Sequence, residues 1–335
     1  MADDPIIKQV MRLALMALPD NHDLPTITRL AGDASTRRYF RAKFPGGASA
    51  VVMAAPDSKS VQSFSAMTTL MRELGADVPG LLLEEGNLLA MEDLGDTMLQ
   101  TALASMTEEE KEAEYRGILD RLALFQSAAR ARTDRGMECF SLKFDEDKLH
   151  YEVDFADNYF LKERLGRQPH WSSGAIMKLE WEKVIGDLAG EMETLAHRDF
   201  HSRNIMALGE RRVWIDYQDA RMGRMTYDLA SLLLDPYVNI GEEMEGRLAG
   251  YYYDRLKEAG AAPWDADRFR ELYDLSAAQR LYKALGTYGY QTAVRKTDVY
   301  IPYIKPAAER LLRILEGPER LARLWKQLAP YLQDA

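Results

Sequence analysis

The sequence predicts an α+β fold in two lobes: a small N-terminal lobe built on an antiparallel sheet and a larger, mainly helical C-terminal lobe. Three observations predict it. The 335 residues exceed the roughly 250–300 at which a single hydrophobic core stops growing. Between residues 26 and 91, short apolar and β-branched runs alternate with turn residues, as strands do. Beyond residue 96, apolar residues recur at helical spacing behind a capping box.

The first element is a helix, because Ile6, Val10, Leu13, Ala14 and Ala17 share one face and Pro19-Asp20-Asn21 stops it. With only Lys8 and Arg12 as basic residues, it is read as packing on the chain's own core rather than on a membrane surface. Residues 26–30, 38–44 and 50–54 follow as strands, separated by Gly32-Asp33-Ala34-Ser35-Thr36 and Pro45-Gly46-Gly47, the chemistry of an antiparallel meander. Residues 61–74 read as a helix ended by Gly75, and 81–83 and 88–91 as two further strands. The polar break Glu92-Asp93-Leu94-Gly95 places the boundary, dividing 1–95 from 96–335. In the second part Thr107 and Glu110 form the capping box of a helix carrying Ile118, Leu122, Phe125 and Ala129. Helical patterns return at 148–164, at 176–193 and from Met244 onward, with Pro236, Pro263, Pro302 and Pro306 as punctuation. There is no internal repeat and no low-complexity tract.

Composition narrows the function. Hydrophobic residues make up 47% and charged residues 29%, the balance of a soluble globular chain. The net charge of −10 repels phosphate backbones and anionic lipid, so neither nucleic acid nor membrane is expected as a partner. A single cysteine, Cys139, excludes an internal disulfide; it reads as a small buried hydrophobe and suits a reducing cytoplasm. The acidic start Met-Ala-Asp-Asp-Pro is unlike a secretory signal, and no apolar run reaches the roughly 20 residues that span a bilayer. A cytoplasmic protein is expected.

The densest polar cluster is His197-Arg198-Asp199-Phe200-His201-Ser202-Arg203-Asn204, followed by Asp216 behind the strand-like Val213-Trp214-Ile215. Phosphoryl transfer from a nucleotide needs one carboxylate at the acceptor hydroxyl and oxygen ligands for magnesium. Asp199 suits the first role, and Asn204 and Asp216 the second. A zinc site on His197 and His201 is the rival chemistry, but Arg198 stands where the metalloprotease pattern has Glu, and no third ligand is assigned.

These residues resemble the aminoglycoside phosphotransferase and choline kinase superfamily, whose fold is protein-kinase-like. Asp199, His201 and Asn204 match its His-Gly-Asp-x-His-x-x-Asn loop, with Arg198 in place of the glycine. Asp216 matches its metal-binding aspartate, and Tyr227-Asp228-Leu229-Ala230 its downstream Asp-Leu-Ala signature. The resemblance implies ATP and Mg2+ as cofactors, Asp199 as catalytic base, Asn204 and Asp216 as magnesium ligands, and His201 or Arg203 steadying the transferred group. It makes 1–95 a nucleotide-binding lobe including the hinge, and 96–335 a catalytic and acceptor-binding lobe. Ser35, Thr36, Arg37 and Arg38 would cover the phosphates, and backbone groups near Glu92 and Leu94 would meet adenine. Asp228 reads as a carboxylate that fixes the catalytic loop; Asp219 reads equally as a partner of the metal site or as a loop carboxylate.

The strand lysine usual in kinases is replaced by Met53, leaving Arg37, Arg38, Arg41 and Lys59 as candidate cations and a non-catalytic nucleotide-binding regulator as an alternative. The segments 32–41, Met53 to Pro56 and 215–220 are most similar to bacterial anomeric kinases of N-acetylmuramate and N-acetylglucosamine, which act in cell-wall sugar recycling. The implied partner is then a small-molecule sugar acceptor, with an aminoglycoside or other small molecule as the alternative. From Tyr251 onward there are 14 basic and 11 acidic residues, so the C-terminal part is positive within an acidic chain. Arg295-Lys296, near Tyr288, Tyr290 and Gln291, reads either as an acceptor contact or as a solvated loop. The acidic residues Asp145, Glu146, Asp147, Glu152, Asp154 and Asp157 read as a solvated helix face, or as a face for a cation.

Overall fold

A computed structural model describes residues 5–21, 23–30 and 37–335. In chain order its elements begin with α1 Pro5–Ala17, β1 Thr26–Arg29, β2 Arg38–Lys43, β3 Ser49–Ala54, α2 Ser58–Glu73, β4 Leu81–Glu85 and β5 Leu88–Glu92. There follow α3 Leu99–Leu103, α4 Glu108–Ala131, α5 Glu146–Ala156, α6 Trp171–Gly190, β6 Thr194–Ala196, β7 Ile205–Leu208, β8 Arg211–Trp214 and β9 Arg221–Gly223. The chain closes with α7 Met225–Leu233, α8 Glu242–Glu258, α9 Ala266–Gly289, α10 Ile301–Glu316 and α11 Ala322–Leu332. Two compact units result: Met1–Met98 with Ile205–Gln218, and Leu99–Asn204 with Asp219–Ala335.

In the first unit the five strands form one antiparallel sheet in the order β1-β2-β3-β5-β4. Alternation along the strands turns Phe40, Val52, Ala54, Leu88 and Ala90 to one face, where they pack on Ile6, Val10, Leu13 and Ala14 of α1. The other face carries Met53, fully buried and in register with Tyr39 and Leu89. The α2 helix is capped by the Asp57 carboxylate, which accepts from the Ser60 amide at 2.8 Å. The β7–β8 hairpin, written far along the chain, joins this unit. Leu94 buries against Met206 and Val213, and Trp214 N donates to Asp77 O at 2.7 Å.

The second unit is helical except for the β6–β9 pair. The Thr107–Glu110 capping box is present at the start of α4, with the Thr107 amide donating to Glu110 at 2.8 Å. The long α9 is buried on nearly every side, packing on α5, α7 and α10. Two glycines make this possible: a Cβ at Gly286 would lie 2.7 Å from Ala156 Cα, and one at Gly289 would strike the Tyr159 carbonyl. The pattern expected as one helix at 148–164 is α5 followed by π-helical turns over Asp157–Arg164. Pro306 does not punctuate; it lies inside α10, whose first turn holds Pro302, where a missing N–H costs nothing. No helix among the described residues is long and apolar enough to cross a membrane. Cys139 is buried, and burial pushes its thiol up to about 11, so it is an inert core residue.

Candidate active site

The loop after β6 is held by carboxylates from two directions. Asp228, fully buried on α7, accepts from the backbone amides of His197 at 2.7 Å and Arg198 at 3.0 Å. Burial pushes its carboxyl up to about 6 against the pull of those amides. Asp235, just past α7, accepts from the amides of Ser202 at 2.8 Å and Tyr237 at 2.8 Å. Between these anchors Arg198 adopts φ +84°, the left-handed region that favours glycine. Asn204 closes the loop: its Nδ2 donates to the Asp199 carbonyl at 2.9 Å. Only the amide end can donate to a carbonyl, so that bond faces Nδ2 toward the Asp199 backbone and turns the Asn204 oxygen away from it.

Asp199 sits among cations. Lys283 Nζ donates to its Oδ1 at 2.8 Å, Arg280 Nη2 lies at 3.6 Å and Arg198 Nε at 3.9 Å from the carboxylate. Burial would raise its pKa, but Lys283, Arg280 and Arg198 overcome that and hold it well below the usual carboxylate range. The group is an anion with one oxygen engaged by Lys283. Neighbouring His201 has its ring Nδ1 buried without a hydrogen-bond partner, and burial pushes its pKa down to about 3, so the ring is neutral. Arg203 turns to Gln100 at 2.8 Å and Tyr303 at 2.7 Å, with its guanidinium 3.8 Å from the Tyr237 ring centroid.

The residues expected to meet the nucleotide, and Asp216, lie in the first unit, or outside the described residues in the case of Ser35 and Thr36. Asp216 has φ +62° and accepts from Gln218 Nε2 at 2.7 Å. Tyr217 is buried against α2, its hydroxyl 2.8 Å from Thr68 Oγ1. Arg37 lies over the Phe64 ring at 5.6 Å, Arg38 is an exposed residue opening β2, and Lys59 is exposed on α2. Arg41 is committed to Asp93 at 2.9 Å, Asp96 at 2.8 Å and the Gly95 carbonyl at 2.9 Å. The Glu92 amide donates to Gly80 O at 2.8 Å, and its carboxylate pairs with Arg211. Leu94 buries its side chain, leaving only its backbone for a ligand.

Residues 26–280 match the phosphotransferase enzyme family. The chain belongs to that family. An N-acetylmuramate/N-acetylglucosamine kinase of Neisseria meningitidis serogroup B is 29% identical over 312 residues, spanning 91% of this phosphotransferase and 88% of the relative. One of the same description from Pseudomonas putida is 28% identical over 273 residues, 78% and 76% of the two chains. Among solved structures, the choline kinase from Cryptosporidium parvum superposes with a TM-score of 0.62 at 12% identity, covering 97% of this chain and 96% of that one. The ADP-bound aminoglycoside phosphotransferase APH(2'')-Ib gives 0.55 at 16%, covering 92% and 97%. These confirm the protein-kinase-like α+β fold.

Several residues around the phosphotransferase loop escaped the sequence reading. Arg280 and Lys283 sit inside a long helix where no local pattern singles them out. Asp235 reads as an ordinary turn residue before Pro236. The acidic stretch divides: Asp145 caps α5 through the Lys148 amide at 2.9 Å, whereas Glu152 is buried against Lys148 at 3.3 Å and Gln279 at 2.9 Å. Arg295 and Lys296 are exposed. Asp219 pairs with Arg198 at 2.7 Å. Among the described residues no group of three or more His, Cys, Asp or Glu is placed to hold a metal.

Proposed function

We propose that this phosphotransferase is an ATP-dependent kinase of the anomeric C1 hydroxyl of N-acetylmuramate or N-acetylglucosamine. The observation that carries the reading is the agreement of relatives aligned along most of the chain, all described as kinases of those two sugars. The loop geometry supports it. Asp199 is an anion whose Oδ1 is held by Lys283, which leaves Oδ2 to accept the acceptor hydroxyl and draw off its proton. Asn204 and Asp216 offer an amide and a carboxylate oxygen, the hard donors magnesium takes, and are its proposed ligands. Bound magnesium supplies neutralisation of charge on the nucleotide phosphates. Arg37 and Arg38 are the proposed phosphate contacts, with Ser35 and Thr36 of the same segment. The backbone near Glu92 and Leu94 is the proposed adenine edge, and because the Glu92 amide is used by Gly80, the contact falls toward Leu94. Arg203, spent on Gln100 and Tyr303, supports the loop, while neutral His201 stays beside the transferred group.

Met53 favours a second reading, a non-catalytic nucleotide binder, because a buried methionine brings no charge to the phosphates. One experiment separates the two. ATP consumption is measured with amino sugars, aminoglycosides and small alcohols, and phosphorus NMR distinguishes a C1 phosphate from an ordinary ester. A C1 phosphate on either sugar is the expected product. No turnover on any acceptor overturns the kinase reading.

A further inference from the structure

The charges around Asp199 do not balance. Glu152 lies 3.3 Å from Lys148 and attracts Lys283 at longer range, and Asp219 pairs with Arg198 at 2.7 Å. Arg280 and Lys283, three residues apart on α9, have side chains only 11% and 12% exposed. Asp199 is the one carboxylate within 4 Å of either among the described residues. At ion-pair distance two largely buried cations thus share a single anion, with Glu152 acting on them only from further off, and desolvated charge without a close counterpart is costly. A ligand that brings a negative group restores the balance.

We infer that Arg280 and Lys283 form an anion subsite beside Asp199 that reads a carboxylate on the acceptor, so that an acidic amino sugar is preferred to its neutral counterpart. This rests on the amino-sugar reading above. Geometry places the subsite on the acceptor. Asp199 is the proposed contact of the reacting hydroxyl, and both α9 cations lie at its Oδ1, so a negative group on the acceptor has only to reach past that oxygen to meet them. The Arg280 guanidinium is fixed by donation from Nε to Ser231 Oγ at 2.9 Å, which leaves its Nη2 edge toward Asp199. N-acetylmuramate carries a carboxylate on its lactyl ether, and N-acetylglucosamine is the same ring without it. A polycationic acceptor would meet repulsion at the same place.

The test compares kcat/KM for the two sugars in the wild type, Arg280→Gln, Lys283→Met and Lys283→Arg. The ratio of acidic to neutral sugar is expected to fall about tenfold or more in Arg280→Gln and Lys283→Met, the worth of one charged hydrogen bond. Lys283→Arg should retain most of it. Where turnover becomes too slow to read, binding calorimetry of the two sugars measures the same ratio. Equal losses on both sugars would assign the cations to the transferred phosphoryl group and overturn the subsite, as would a wild type without preference. A wild type that turns over neither sugar overturns the functional reading itself.

Discussion

Arg198 holds a left-handed backbone at φ +84° where its family commonly has glycine, and that conformation costs an L-residue about 1–2 kcal/mol. The arginine is retained with its guanidinium between Asp199 and Asp219. Arg198→Gly and Arg198→Ala both remove that side chain, but only glycine relieves the backbone. Calorimetric unfolding should therefore place the glycine variant about 1 kcal/mol above the alanine variant, and equal stabilities would show that the loop carries no strain. Asp228 makes the opposite case, since both oxygens are used on the amides of His197 and Arg198. Asp228→Asn turns an NH2 toward one of those donors, at a cost of about 1–3 kcal/mol. The variant should unfold at lower denaturant and lose activity through a displaced Asp199; an active variant of full stability would refute the anchoring role. Asp228 was legible because it stands in a short signature. Lys283 was not, because its partner Asp199 is 84 residues away and only the packing of α9 brings the two together.

The α9 helix is the element on which that charge arrangement depends, and its glycines let it approach α5 and the π-helical turns. Gly289→Ala gains helix propensity of about 1 kcal/mol, yet its Cβ meets the Tyr159 carbonyl, so the helix must shift. A net loss of about 1–3 kcal/mol and a reduced kcat are expected, measured by denaturant unfolding and turnover together. Asp157 opens the π-helical turns and accepts the Tyr282 hydroxyl. Burial pushes its carboxyl up to about 6 from 3.8. The folded chain then holds a proton that the unfolded chain has lost, so this group's contribution is complete below about 3.8 and disappears as pH rises through about 6. Asp157→Asn should raise stability at pH 7.5 by about 1–2 kcal/mol, with the gain shrinking toward pH 4. A gain independent of pH would exclude the carboxyl as its source. The strands and α4 could be read from sequence because turn residues and a capping box mark them locally. The π-helical turns and the helical Pro306 could not, since neither leaves a spacing that differs from a plain helix or its end.

For the molecule as a whole, the net charge of −10 says little about what it binds. The excess that bears on the acceptor is two side chains on α9, invisible in any total and only hinted at by the positive C-terminal stretch. On the nucleotide side Met53 is buried and Arg41 is committed to Asp93 and Asp96, so neither supplies a cation for the phosphates. Linkage provides the measurement. A ligand that binds only the folded chain stabilises it by about 2.7 kcal/mol at one hundred times its Kd. Thermal unfolding with ATP should show such a gain, larger with magnesium than without. Asp199→Asn should keep the full magnesium-dependent gain while losing turnover, because its carboxylate is the proposed contact of the acceptor hydroxyl. Asp216→Asn should keep only the gain seen without magnesium, because the oxygen it removes is a proposed ligand of the ion. If Asp216→Asn instead retains the whole magnesium-dependent gain, Asp216 does not hold the metal; if Asp199→Asn loses it, the two aspartates do not divide the work as proposed.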